Sequence, residues 1–214
     1  MYNTILFDLD GTLTDPGMGI TNSVAYALDK WEIKVNDRAE LYKFIGPPLV
    51  ESFEKYYGFS HEDALLALKY YREYFSEKGL FENEVYDGIA ELLENLKAQG
   101  KRLIVATSKP EVYSKRILEH FDLYKYFDFL AGATFDEKRV KKNDVIAYAI
   151  ENCGIDDLSS VLMIGDREHD VLGAACFGID SVGVLWGYGS REELTAAGAT
   201  YIAEKVEDIR EITK

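Results

Sequence analysis

Short, uninterrupted apolar runs alternate along the chain with stretches in which apolar residues recur every three or four positions. The runs are residues 4–7 (TILF), 103–106 (LIVA), 129–131 (FLA), 161–164 (VLMI) and 181–184 (SVGV). Their length and bounds predict strands buried in a parallel sheet. Between them the spacing is helical. In 87–100, Ile89, Leu92, Leu93 and Leu96 fall on one face, with Asp87 as the expected N-cap and Gly100 as the stop. In 142–154 the apolar positions are Val145, Ile146, Ala149, Ile150 and Cys153, again followed by glycine. Cys176 is expected on a similar face behind Val171, Leu172 and Ala175, so both cysteines read as small core residues.

Strands alternating with helices imply a three-layer, Rossmann-like α/β core around a central parallel sheet, joined by right-handed crossovers. Residues 16–81 break that alternation. They carry helical patterns only, at 20–31, 38–44, 49–57 and 62–76, and are rich in rings: Tyr56, Tyr57, Phe59, Tyr70, Tyr71, Tyr74 and Phe75. The expected division is a core of residues 1–15 and 82–214 with a small all-helical insertion, 16–81, after the first strand. The rings are expected to form the insertion's own core.

Composition narrows the partners. The 214 residues include 24 Lys plus Arg against 38 Asp plus Glu, a net charge of −14. Such a chain repels polyphosphate backbones and anionic surfaces, so a nucleic-acid polymer or a membrane is not an expected partner. No apolar run reaches the ~18 residues of a membrane span, and the acidic start MYNTILFDLDGT does not look like a secretory signal. Two distant cysteines form no disulfide framework. A cytoplasmic protein, monomer or homodimer, is expected.

Ligands of open α/β sheets bind beyond the carboxyl ends of the strands. Asp8, Asp10, Gly11 and Thr12 follow the first run, Thr107, Ser108 and Lys109 the second, and Gly165, Asp166 and then Asp170 the fourth, while Lys141 and Lys142 open the helix between the third and fourth. Asp8, Asp10 and Asp166, with Asp170 nearby, would converge at one end of the sheet. Crowded carboxylates protonate unless a cation neutralises them, and an all-oxygen site suits Mg²⁺. Thr107 and Ser108 offer hydroxyl and backbone donors for phosphate, and a lysine at a helix start adds positive charge. These residue types together fit phosphoryl transfer. Lys109, before Pro110, reads as a solvated loop charge. None of the three histidines, His61, His120 and His169, is required by this chemistry.

FDLDGTLTD (7–15), VATSKP (105–110), RVKKND (139–144) and MIGDREHD (163–170) resemble, in order, the four motifs of haloacid dehalogenase superfamily phosphatases. The resemblance is closest to phosphoglycolate-phosphatase-like and 5′-nucleotidase-like members, which carry a helical cap after the first strand. It implies a Mg²⁺-dependent phosphatase acting on a small phosphorylated metabolite. Asp8 would be the nucleophile that forms an aspartyl-phosphate. Asp10 would protonate the leaving oxygen, activate water and lend its carbonyl to the metal. Thr107 and Ser108 would bind phosphate, as would Lys142, with Lys141 the fallback. Asp8, Asp10, Asp166 and Asp170 would form the metal site, Asp170 indirectly.

Three rival readings share parts of this chemistry. A haloacid dehalogenase needs neither the second acid nor a metal, so Asp10 and Asp166 argue against it. A sugar-phosphate mutase differs from a phosphatase mainly in how well water is excluded. A signalling receiver domain also pairs an acceptor Asp with Mg²⁺, but lacks the Asp10 position and the helical insertion.

Overall fold

From the N-terminus the elements run β1 (Thr4–Phe7), β2 (Thr14–Asp15), α1 (Gly17–Asp29), α2 (Leu49–Tyr57), α3 (His61–Tyr74), β3 (Glu84–Val85), α4 (Ile89–Ala98) and β4 (Arg102–Pro110). They continue through α5 (Glu111–His120), β5 (Phe129–Ala133), α6 (Lys142–Cys153), β6 (Val161–Gly165), α7 (Glu168–Ala175), β7 (Asp180–Val184), α8 (Arg191–Ala196), β8 (Tyr201–Ala203) and α9 (Asp208–Ile212). This is a computed structural model describing residues 1–136 and 138–214. No helix among the described residues is long and apolar enough to cross a membrane.

Six strands form one sheet in the order β5-β4-β1-β6-β7-β8, and each neighbouring pair is parallel. Helices flank it, giving the expected Rossmann-like α/β architecture. Leu6, Ile104, Ala106, Ala131, Val161 and Met163 pack against Val145, Ile146 and Ala149 of α6 and Ala174 of α7, all buried. Burying each Leu- or Ile-sized side chain contributes roughly 1.5–3 kcal/mol, so a fully apolar run makes a stable central strand. The register fixes the sheet's upper edge. Phe7 of β1 lies opposite Val105 of β4 on one side and Ile164 of β6 on the other. The residues that follow, Asp8, Ala106 and Gly165, therefore end level.

The chain packs as two units, Met1–Thr14 with Val85–Lys214, and Asp15–Glu84. The short strands β2 and β3 pair with each other where the chain crosses from one unit to the other. The second unit is helical and has its own core. Leu28, Leu41, Phe44 and Phe53 are fully buried or nearly so. Ring pairs run through it, Phe44–Phe53 at 5.1 Å and Trp31–Phe59 at 4.8 Å between centroids. Arg38–Phe44 is a 3-10 helix, and Phe75–Gly79 adds a π-helical turn beyond α3.

Three local expectations need correction. Strand β8, the short apolar run Tyr201–Ala203 at the sheet edge, is not among the predicted strands. The N-cap of α4 is Gly88, in the left-handed region at φ 83°, and not Asp87. Cys176 is exposed, whereas Cys153 is buried. Helix α7 turns Asp170, Val171, Gly173 and Ala174 inward, which rotates Leu172, 47% exposed, and Cys176 out. The inward demand of an acidic side chain sets that face, and apolar spacing cannot register it.

Candidate active site

The first motif leaves β1 and turns at once. Leu9 O accepts from the amides of Thr12, Leu13 and Thr14, and the Gly11 amide donates to Thr14 O. Gly11 sits at φ +81°, and a Cβ there would lie 2.2 Å from Asp166 Oδ2. Only glycine lets this turn press against the carboxylate beyond β6. The turn leaves Asp8 buried beyond the strand and aims Asp10 to one side.

Asp8, Asp166 and Asp170 are all buried, and each offers an oxygen within 4.8 Å of the others'. Lys142, on the first turn of α6, sits among them and is also buried. Its Nζ donates to Ala106 O at 2.9 Å and lies 2.8 Å from Asp8 Oδ1 and 2.7 Å from Asp170 Oδ1. Both carboxylate contacts are buried ion pairs. Lys141, by contrast, is exposed at the helix N-cap. Of the two lysines offered by the sequence, Lys142 is the one against the carboxylates.

Asp10 is not among the carboxylates whose oxygens lie within 4.8 Å of one another. Its carboxylate turns away from the close trio and pairs with Lys109, Oδ2 to Nζ at 2.5 Å, while Oδ1 is buried without a hydrogen-bonding partner. Lys109 is itself buried, at 8% exposure, so it is not the solvated loop charge that the sequence suggested. Strand β4 runs on to Pro110, and Thr107 and Lys109 are both buried on it. Thr107 Oγ1 accepts from the Lys109 amide at 3.2 Å. Ser108, between them, is half-buried.

Burial governs the electrostatics. Desolvation pushes the Asp166 carboxyl well above its ordinary range, and the charges of Asp170 and Asp8 push it further. Asp170 rises to about 6, mainly through burial, with Lys142 pulling it back and Asp8 pushing it up. Asp10 is also raised by burial, against the opposing pull of Lys109. Burial works against the Lys142 ammonium, but Asp170 and Asp8 outweigh it and hold its pKa above the ordinary lysine value.

The donor set fits a hard divalent cation. Three buried carboxylates against one ammonium leave a formal charge of −3 + 1 = −2. Several oxygens are already committed to the protein: Asp166 Oδ2 accepts from the Tyr188 amide at 2.8 Å and Asp170 Oδ2 from the Arg167 amide at 3.1 Å. The opposite oxygens, Asp166 Oδ1, Asp8 Oδ1 and Asp170 Oδ1, are buried without hydrogen bonds. Buried carboxylate oxygens around a formal net double negative charge, two of them balanced only by the Lys142 ammonium, suit Mg²⁺ chemistry.

Sequence reading missed the segment after β7. Trp186 Nε1 donates to Thr12 O at 3.0 Å. A Cβ on Gly187 would lie 2.3 Å from Gly11 O and 2.4 Å from Asp166 Cβ. This loop clamps the first motif's turn and Asp166 together. Applying the strand-end rule to the fifth apolar run as well would have reached it.

A sheet edge carrying this acidic trio, a buried lysine and a flanking Asp–Lys pair has the chemistry of a metal-assisted hydrolase. A family profile described as haloacid dehalogenase-like hydrolase matches residues 5–184, and the chain belongs to that family, as a phosphatase. Over 211 residues it is 44% identical to a 5′-nucleotidase of Pseudomonas aeruginosa, covering 99% of this chain and 95% of that one. It is 40% identical to the tyrosine-protein kinase PtkA of Mycobacterium tuberculosis, covering 97% of this chain and 71% of that one. A solved structure described as a predicted phosphatase from Clostridium acetobutylicum superposes with a TM-score of 0.96 at 53% identity, covering 99% and 98% of the two chains.

Proposed function

We propose that this chain is a Mg²⁺-dependent phosphomonoesterase that hydrolyses a nucleoside monophosphate or a phosphate ester of similar size through an aspartyl-phosphate on Asp8. The observation that carries this reading is the separation of two acidic roles at one sheet edge. Asp8 sits in the trio beside Lys142, whereas Asp10 stands apart, paired with Lys109 and raised by burial.

Asp8, Asp166, Asp170 and the Asp10 carbonyl would hold Mg²⁺, which when bound would neutralise the trio and withdraw charge from the substrate phosphate. Lys142, with Thr107 and Ser108, would bind the phosphate oxygens. In the first half-reaction an Asp8 carboxylate oxygen attacks phosphorus, the ester P–O bond breaks, and Asp10 gives its proton to the leaving oxygen. Burial, which raises the Asp10 carboxyl, favours its protonated form and so that donor role. In the second, Asp10 takes a proton from water, the water oxygen attacks phosphorus, and the bond to Asp8 breaks to release inorganic phosphate.

The helical insertion would act as a cap that excludes water and reads the leaving group. The chain enters it at Asp15, five residues after Asp10. The naming of a 44% identical relative as a 5′-nucleotidase favours a nucleobase-bearing substrate.

The test is turnover of a generic aryl phosphate with Mg²⁺ by the wild type and Asp8→Asn. The variant should fold normally and lose about 10⁴-fold or more in kcat, since the nucleophile is gone. Undiminished turnover would end the reading. A panel of nucleoside monophosphates, sugar phosphates and phosphoglycolate, compared by kcat/KM, tests the substrate class. Isomerised sugar phosphate in that panel would point to a mutase. The kinase name of the mycobacterial relative supports a second reading, phosphoryl transfer to a tyrosine hydroxyl, which incubation with ATP and detection of phosphotyrosine would reveal.

A further inference from the structure

Each cation of the site adjoins a stretch of backbone that regular pairing does not fix: Lys109 lies at the far end of β4 and Lys142 opens α6. Pairing of β4 with β5 shifts register between Ala106 and Pro110, the stretch that bears Lys109. Between Ala133 and Lys142 the described residues form neither helix nor strand, yet Lys142 must place its Nζ 2.7–2.9 Å from three oxygens. Something must hold both segments to within a fraction of an ångström.

Arg139 and Glu111 meet between them. Arg139 lies three residues before Lys142, and Glu111 two residues after Lys109. Arg139 Nη2 donates to Glu111 Oε1 at 2.5 Å, and Arg139 Nε donates to Gly132 O at 2.7 Å. Glu111 Oε1 also accepts from the Gly132 amide at 3.3 Å. The guanidinium lies over the Tyr148 ring of α6, 3.5 Å from its centroid. One backbone–backbone and one backbone–side-chain bond tie Arg139 to Thr134: the Thr134 amide donates to Arg139 O at 2.9 Å, and the Arg139 amide to Thr134 Oγ1 at 3.3 Å. One planar fork therefore joins the start of α5, the end of β5 and the approach to α6. Lysine has neither the fork nor the flat face to do so.

We propose that Arg139 and Glu111 form a positioning pair that sets Lys109 and Lys142 together, so that the two cations of the site are aligned as a unit. Neither residue touches the reacting atoms. The inference rests on the phosphatase reading above. A displacement of about 1 Å at a positioned group can cost about 100-fold in rate. Surface ion pairs that do nothing else cost almost no activity.

The experiment compares wild type, Arg139→Ala, Arg139→Lys, Glu111→Ala and the double alanine variant with a generic aryl phosphate and Mg²⁺. Melting temperature and the affinity for inorganic phosphate are measured in parallel. Each single alanine change should lower kcat/KM about 10- to 100-fold in fully folded enzyme and weaken phosphate binding. Arg139→Lys should restore little, and the double variant should be no worse than the singles, because both remove one brace. Single variants within threefold of wild type would overturn the proposal, as would losses that multiply in the double variant. Absence of turnover in the wild type itself would instead count against the phosphatase reading. In that event phosphate affinity, read by melting shift, still tests the pair, and unchanged affinity in the variants would overturn it.

Discussion

The raised carboxyl of Asp170 has a measurable consequence in the metal-free protein. Its pKa stands at about 6 in the folded chain against 3.8 for an unperturbed aspartate. Between those values the folded state holds a proton that the unfolded chain has released. Stability therefore falls as pH rises across that window, and the whole loss is present above pH 6. At about 1.4 kcal/mol per pH unit, the loss is of the order of 3 kcal/mol. Asp170→Asn removes the charge but retains a side-chain oxygen to accept from the Arg167 amide. In EDTA the variant should match the wild type near pH 4 and melt about 6–12 °C higher above pH 6.5, at about 2–4 °C per kcal/mol for a chain of this size. Asp10, also raised, is present in both proteins, while Asp166 loses the upward push of Asp170 in the variant, which adds to the difference in the same direction. Differential scanning fluorimetry at four pH values reads the difference directly. Adding Mg²⁺ at pH 7.5 should raise the wild type more than the variant, since a ligand stabilises only the state that binds it. Wild-type and variant melting curves that run parallel from pH 4 to 7.5 would refute the reasoning.

Lys142→Met keeps the shape but strips the ammonium from between Asp8 and Asp170. Breaking a buried pair this way costs about 3–5 kcal/mol, so at pH 7 the variant should melt at least about 6 °C lower and lose 100-fold or more in kcat/KM. Calorimetry and steady-state kinetics check the two together. Gly187→Ala would place a methyl 2.3 Å from Gly11 O and 2.4 Å from Asp166 Cβ. The backbone must yield, and a loss of about 1–3 kcal/mol with weakened Mg²⁺ dependence of turnover is expected from denaturant titration and metal-dependent kinetics.

Much of this was legible in the chain. The four motifs lie directly beyond strands or at a helix start, and an apolar run followed by Asp, Thr or Gly-Asp needs no tertiary information to stand out. The same holds for the α6 stop at Gly154, in the left-handed conformation at φ 58°. Lys109 was undervalued because a lysine before proline has the local look of a loop, and only the continuation of β4 buries it. Cys176 was misplaced because α7 turns by the needs of Asp170. The pairing of Glu111 with Arg139 was not legible, since it spans 28 residues and each alone is an ordinary charge, Arg139 standing out only as the start of the third motif.

Sequence alone settled the parts: which runs must be buried, where the chain turns, and which acids stand at strand ends, because these follow from local apolar spacing and backbone preference. Tertiary structure decided which parts meet. Asp8 and Asp166 are level because β1 and β6 are parallel neighbours in register. Lys142 reaches both Asp8 and Asp170 because α6 starts beside that edge, while Asp10 is drawn aside by a lysine 99 residues away. Coulomb attraction and desolvation depend on distance through space, and distance along the chain says little about either.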